Sequence, residues 1–235
     1  SAGMEFCFVN LIEPGDEVQF QCVDSSGAPV QPGMPADKLL KIDRTRIHAL
    51  TGPVWVEGAE PGDVLEVQVL ATRHHGWGWS SVIEGLGFLK ERFRGPYLFH
   101  WQLEGETSSS LFPAVVPLRP FLGVMGVARA EDGRFRTRPP GSFGGNLDVR
   151  ELCAGGRLYL PVFNRGALFS CGDGHAAQGD GEVCINGIEC PLDVTLRFFL
   201  HENQPLEGPL VESSDSAAPD SLADSWVVLE TGTVL

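Results

Sequence analysis

Glycine and proline punctuate this chain so closely, 29 and 17 of them in 235 residues, that little space is left for a helix. A typical helix needs ~11 residues without such breaks, whereas a strand needs only ~5–6. The segments between the breaks are short and rich in Val, Leu and Phe. VWVEGA (54–59), DVLEVQVLATR (63–73), RLYLPVF (157–163), ALFSCGD (167–173) and LDVTLRFFLHE (192–202) read as strands, several with period-two alternation. EGLGFLKERF (84–93) has room for one or two helical turns. Glu-Pro-Gly-Asp occurs twice, at 13–16 and 60–63, each time ahead of an alternating segment. Pro then Gly suits the centre of a type II turn, so each copy is expected to launch a strand. The expectation is a mostly-β chain, a sandwich or barrel of many short strands, folding as a single domain over 1–235.

Charge and cysteine usage exclude several roles. A formal net charge of −14 argues against nucleic acid as a partner, because phosphate binding needs clustered Lys and Arg. Much of that acidity falls in VESSDSAAPDSLADS (211–225), which reads as a polar surface loop. No window approaches the ~18 apolar residues of a membrane span, and the start lacks a signal-peptide pattern. The six cysteines (Cys7, Cys22, Cys153, Cys171, Cys184, Cys190) form no CxxC pair, so reduced, mostly buried thiols in a cytoplasmic-type compartment are expected.

The chemistry concentrates in GDGHAAQGDGE (172–182). On a strand Asp173 and His175, two apart, share a face, and a hairpin-like return would bring Asp180 and Glu182 to them. Carboxylates with a neutral imidazole suit Zn, Mn or Fe, and carboxylates alone would suit Ca. An EF-hand register fails, since Gln178 and Cys184 stand where Gly and Glu would be required. The alternative is a solvated glycine-rich turn, although Ala176-Ala177 is unusual for one.

Other sites carry weaker signals. PPGSFGGNLD (139–148) suggests a close backbone approach at Gly144 and Gly145, with Asn146 and Asp148 delivered from its end, or else a loop closing in an Asx turn. His48, Glu57 and Glu60 border a strand, where a lone His is more often a surface residue. His74 and His75 fall on opposite faces of a strand. Ser170-Cys171 leaves Cys171 as a weak nucleophile candidate with no base assured. Trp77, Trp79 and Phe143 are the aromatics available to shape a small pocket.

TGPVWVEGAEPGDVLEV, GGNLD, LYLPVFNRGALFSCGDGHAAQGDGEVC and GIECPLDVTLRF, in that order, resemble the acetamidase/formamidase family from about residue 10 to about residue 200. The resemblance implies a mostly-β, cytoplasmic, homo-oligomeric amidohydrolase that cleaves formamide, acetamide or similar short amides to a carboxylate and ammonia. It also implies a divalent metal, zinc first, with calcium or manganese as alternatives. The metal falls to Asp173, His175, Glu182 and His48, and catalysis to Glu182, Asp180 and Asp148. Gly144, Gly145 and Asn146 are assigned to substrate binding, the glycine N–H groups as oxyanion donors. Set against the family pattern the chain is short at both ends, opening at MEFCFVNLIEPGD and stopping at LETGTVL. Two alternatives follow: a catalytically silent relative serving as a binding or assembly subunit, and a hydrolase of small lactams.

Overall fold

The computed structural model describes residues 10–213 and the short strand at 227–228. In chain order the strands are β1 (Asn10–Ile12), β2 (Glu17–Cys22), β3 (Leu50–Val56), β4 (Val64–His74), β5 (Trp77–Val82), β6 (Tyr97–Gln102), β7 (Thr107–Ser108) and β8 (Val116–Pro117). They continue with β9 (Phe121–Gly126), β10 (Gly144–Asn146), β11 (Arg157–Pro161), β12 (Phe169–Ala177), β13 (Ile188–Glu189), β14 (Leu192–His201), β15 (Leu210–Glu212) and β16 (Val227–Val228).

Both Glu-Pro-Gly-Asp copies are turns of the expected kind. The Asp16 N–H donates to the Glu13 carbonyl at 3.0 Å, and Asp63 to Glu60 at 3.1 Å. Gly15 and Gly62 supply the required positive φ, 101° and 100°. Each aspartate also accepts its glutamate's N–H, at 2.9 Å for Asp16 and 3.0 Å for Asp63, so the turn is clamped from both sides. They launch β2 and β4, which flank β14 in one sheet ordered β16-β15-β11-β4-β14-β2. The second sheet runs β1-β3-β12-β13-β5-β6, with β9 pairing β12 and β10 pairing β9.

The core lies between these sheets. Phe20 and Phe198 from the first meet Phe169 from the second, with ring centroids 5.2–6.2 Å apart, and Leu65, Val67, Leu122, Met125 and Leu196 pack around them. Both sheets are open, so of the two expected architectures the chain adopts the sandwich and not the barrel. Residues 84–93 form successive turns rather than a helix. Among the described residues the helical segments are 3-10 turns at Ala36–Lys41 and Arg44–Arg46. The polar stretch 211–225 begins inside β15, while residues 214–225 and Cys7 lie outside the described residues. Among those described, no helix is long and apolar enough to cross a membrane.

One strand changes face, and this positions the site. Phe169, Cys171 and Ala176 of β12 all belong to the core. Strict alternation would keep the core face on odd positions, yet it passes to an even one. Asp173 sits at the change with φ 60°, in the left-handed region. Here β12 also exchanges neighbours: β3 pairs it up to Gly172, and β13 takes over at His175 opposite Glu189.

Candidate metal and active site

Asp173 and His175 turn out of the core onto a cradle made by Gly123 of β9. A Cβ at Gly123 would lie 2.5 Å from Asp148 Oδ1, 2.7 Å from His175 Cε1 and 2.8 Å from Asp173 Oδ2. Only glycine leaves the space in which these three side chains meet. Asp148 arrives from the end of β10, where Asn146 Nδ2 donates to its Oδ2 at 2.9 Å. His175 stacks on Phe121 at 4.9 Å and presents Nε2 to Glu189 Oε1 at 3.0 Å and to Glu182 Oε1 at 3.6 Å. Gln178 Nε2 holds Glu182 Oε1 at 3.0 Å. His48 completes the ring, its Nε2 3.6 Å from Asp173 Oδ2. Asp148, Asp173 and Glu182 all carry positive φ, 50°, 60° and 37°. That is backbone strain of the kind that collects at functional sites.

Burial governs the electrostatics. It pushes Asp148 up to about 7, with Glu182 and Glu189 adding repulsion against the pull of His175. Burial likewise raises Asp173 well above the carboxylate range. For His175 burial opposes the charge, but Glu189 and Asp173 overcome it and hold the imidazole well above its ordinary value. Glu189 is held low by that same imidazole despite its own burial. His48 goes the other way, to about 4, through burial and then the positive charges of Arg138 and His175.

The donor set fits a divalent cation. Donor atoms of Asp148, Asp173 and His175 lie within 4.8 Å of one another, and so do those of His175, Glu182 and Glu189. Seven buried side-chain polar atoms among the described residues lack a partner, and five are here: Asn146 Oδ1, Asp148 Oδ1, Asp173 Oδ1, His175 Nδ1 and Glu189 Oε2. Each such atom costs about 1–3 kcal/mol. Five together would erode most of a typical stability of ~5–15 kcal/mol, so a ligand is expected to satisfy them.

The structure therefore gathers His48, Asn146, Asp148, Asp173, His175 and Glu182 around one cavity of about 430 Å³. Other expected residues fall elsewhere. Asp180 points to solvent and pairs with Arg150 at 3.1 Å, although Glu182, two residues on, returns to His175. The Gly144 N–H is taken by the Gly141 carbonyl at 3.0 Å, and Gly145 lines a separate cavity with Phe143, so neither faces the cluster as an oxyanion donor. Cys171 is buried in the core beside Cys22, with Sγ atoms 3.9 Å apart, and burial pushes its thiol up, which removes it as a nucleophile. Trp79 lines the cavity and packs with Val30 and Leu39, and Trp77 lies against that small cluster without lining the cavity.

The acetamidase/formamidase family model matches residues 5–133 and 129–230. The chain belongs to that family. A formamidase of Methylophilus methylotrophus is 26% identical over 234 residues, covering 76% of this chain and 58% of the relative. An acetamidase of Mycolicibacterium smegmatis is 30% identical over 239 residues, covering 75% of this chain and 59% of the relative. The chain thus spans less than two thirds of either relative's length. The crystal structure of an acetamidase from Bacillus halodurans superposes with a TM-score of 0.84 at 33% identity, covering 89% of this chain and 70% of that one.

For this acetamidase/formamidase family member the sequence reading missed Glu189 and Gly123. Glu189 is buried between Ile188 and Cys190, where a strand pattern hides a charge. An acidic residue at a position otherwise reading as fully buried was the available signal. Gly123 gave none, since its role depends on what β12 and Asp148 bring to it.

Proposed function

We propose that this chain carries the active site of a divalent-metal-dependent amidohydrolase of short aliphatic amides, formamide and acetamide among them. The observation that carries this reading is the Gly123 cradle, where Asp148, Asp173 and His175 converge with unpartnered buried donors. Family membership and the relatives named formamidase and acetamidase support an amide as the substrate.

Asp148, Asp173 and His175 would hold the metal. Mixed carboxylate and imidazole ligands favour zinc, with manganese as the alternative. When bound, such an ion polarises a carbonyl and acidifies water, from a pKa of ~15.7 towards ~7. Glu189 fixes the His175 ring through Nε2, and Asn146 anchors Asp148 by one oxygen, leaving the other directed at the cradle. Glu182 lines the cavity with its side chain 20% exposed. Its carboxylate takes a proton from the attacking water and delivers it to the amide nitrogen. The carbonyl carbon keeps the water oxygen, the C–N bond breaks, and ammonia leaves. Such proton transfer contributes ~10²–10⁴-fold.

The described cysteines are free thiols, which suits a reducing, cytoplasmic-type compartment. Exposed Leu111, Phe112 and Val115 suit burial against a second copy of the chain. The test is metal content of protein purified without chelator, together with ammonia release from formamide and acetamide and ring opening of a small lactam. One divalent metal per chain with ammonia release, both lost in Asp173→Ala, is the expected result. Metal-free protein with no turnover on any amide would overturn the reading in favour of a silent relative.

A further inference from the structure

The cavity above the cradle is larger than a four-heavy-atom amide requires. Its volume of about 430 Å³ falls in the range of pockets that enclose much larger ligands, ~300–1,000 Å³. Two exposed arginines, Arg44 and Arg138, are among its lining residues.

Both are mounted on backbone fixed beside the cluster. Arg44 opens the 3-10 turn Arg44–Arg46, which Asp43 caps by accepting the Thr45 N–H at 3.0 Å. Arg138 follows Thr137, whose Oγ1 accepts the His48 N–H at 2.6 Å. His48 in turn reaches Asp173. Neither arginine makes an ion pair or side-chain hydrogen bond with a described residue, although the chain has 31 acidic residues for 17 Lys and Arg. The two also repel each other: partial burial, then the charge of Arg138, lowers the pKa of Arg44. Adjacent unpaired cations lining a cavity in so acidic a chain call for an anion from outside.

We infer that Arg44 and Arg138 form a carboxylate-binding subsite, and that the substrate is an amide whose acyl chain ends in a carboxylate, the monoamide of a dicarboxylic acid. This rests on the amidohydrolase reading and narrows it. Guanidinium forks match carboxylate geometry, and one carboxylate offsets the repulsion between two arginines. Ile47, Ile83 and Ile185 line the same cavity and suit the methylenes between the two ends. With the carboxylate held at the mouth, only the amide end can reach the cradle. Hydrolysis then releases ammonia and a dicarboxylate.

The experiment compares kcat/KM for malonamate, succinamate and glutaramate with that for neutral amides of matched size, 4-methylpentanamide being the partner of succinamate. At least one of the three acids is expected to be preferred, chiefly through KM. In the double variant Arg44→Gln/Arg138→Gln that preference falls roughly 10–100-fold, as expected for losing charged hydrogen bonds. Arg46→Gln, on the same turn but outside the cavity, keeps it. Turnover of neutral amides with no preference for any acid overturns the subsite and leaves the amidase reading standing. If no amide is turned over, calorimetric titration with malonate, succinate and glutarate decides. Binding abolished in the double variant supports the subsite even as the amidase reading fails, and no binding overturns both.

Discussion

His175 Nε2 lies 3.0 Å from Glu189 Oε1, and each side chain is only 2% exposed. The contact spans the point where β13 replaces β3 beside β12, so it ties the cradle-facing ring to the sheet behind it. Removing one partner of a buried pair typically costs ~3–5 kcal/mol. Outer partners of ligating histidines typically carry ~10–100-fold in metal affinity. Glu189→Gln is therefore expected to lower the urea midpoint of the metal-free chain and to weaken zinc binding by that factor. An unchanged midpoint would mean the pair is not ionised in the fold.

The two ends of this pair differ in how far they can be read from sequence. His175 sits in GDGHAA, where small neighbours leave a polar side chain with nothing to pack against, so it is legible as chemistry. Glu189 sits in GIEC, fourteen residues on, and meets His175 only because β12 and β13 pair with an irregularity between His175 and Ala177. The Glu-Pro-Gly-Asp turns were legible because the turn and its clamp lie within four consecutive residues. Asp180 misled because acidity alone does not say where a loop turns. Its neighbour two residues on, Glu182, folds back to His175, while Asp180 meets Arg150 on the surface. The face change at Asp173 depends on a backbone angle that no spacing pattern encodes.

Gly123→Ala tests the cradle. The added methyl would lie 2.5 Å from Asp148 Oδ1 and 2.8 Å from Asp173 Oδ2, so both carboxylates must shift. Overpacking of this kind costs ~1–3 kcal/mol. Metal binding is expected to fall below detection while circular dichroism keeps its strand signature. Gly208→Ala, with nothing within 4 Å of the added Cβ, serves as the control and should bind normally. Normal metal binding by Gly123→Ala would place the ion elsewhere.

Asp180 and Glu182 can be separated by conservative variants. The Asp180 side chain is 77% exposed, and its pairing with Arg150 is of the surface kind, worth ~0–1 kcal/mol. Asp180→Asn should retain both metal and ammonia release. Glu182→Gln removes the carboxylate proposed to carry the proton, and should lose ~10²–10⁴-fold in kcat. Equal turnover by the two variants would move the proton-transfer role to another carboxylate.

Asp193 gives a stability test on a residue outside the cluster. Its carboxylate, on β14, meets His75 at 3.0 Å and also Arg73. Burial works against the charge, but these two partners hold it below the ordinary aspartate range. A folded value below the unfolded ~3.9 means the contribution is complete above that pH and disappears as pH falls through the folded value. Arg73 is largely exposed, so the contribution is about 1 kcal/mol. Asp193→Asn is thus expected to unfold at lower urea than the parent near pH 7, with the two curves converging below about pH 4. A gap that persisted undiminished at pH 3 would assign the loss to packing of the side chain, not to its charge.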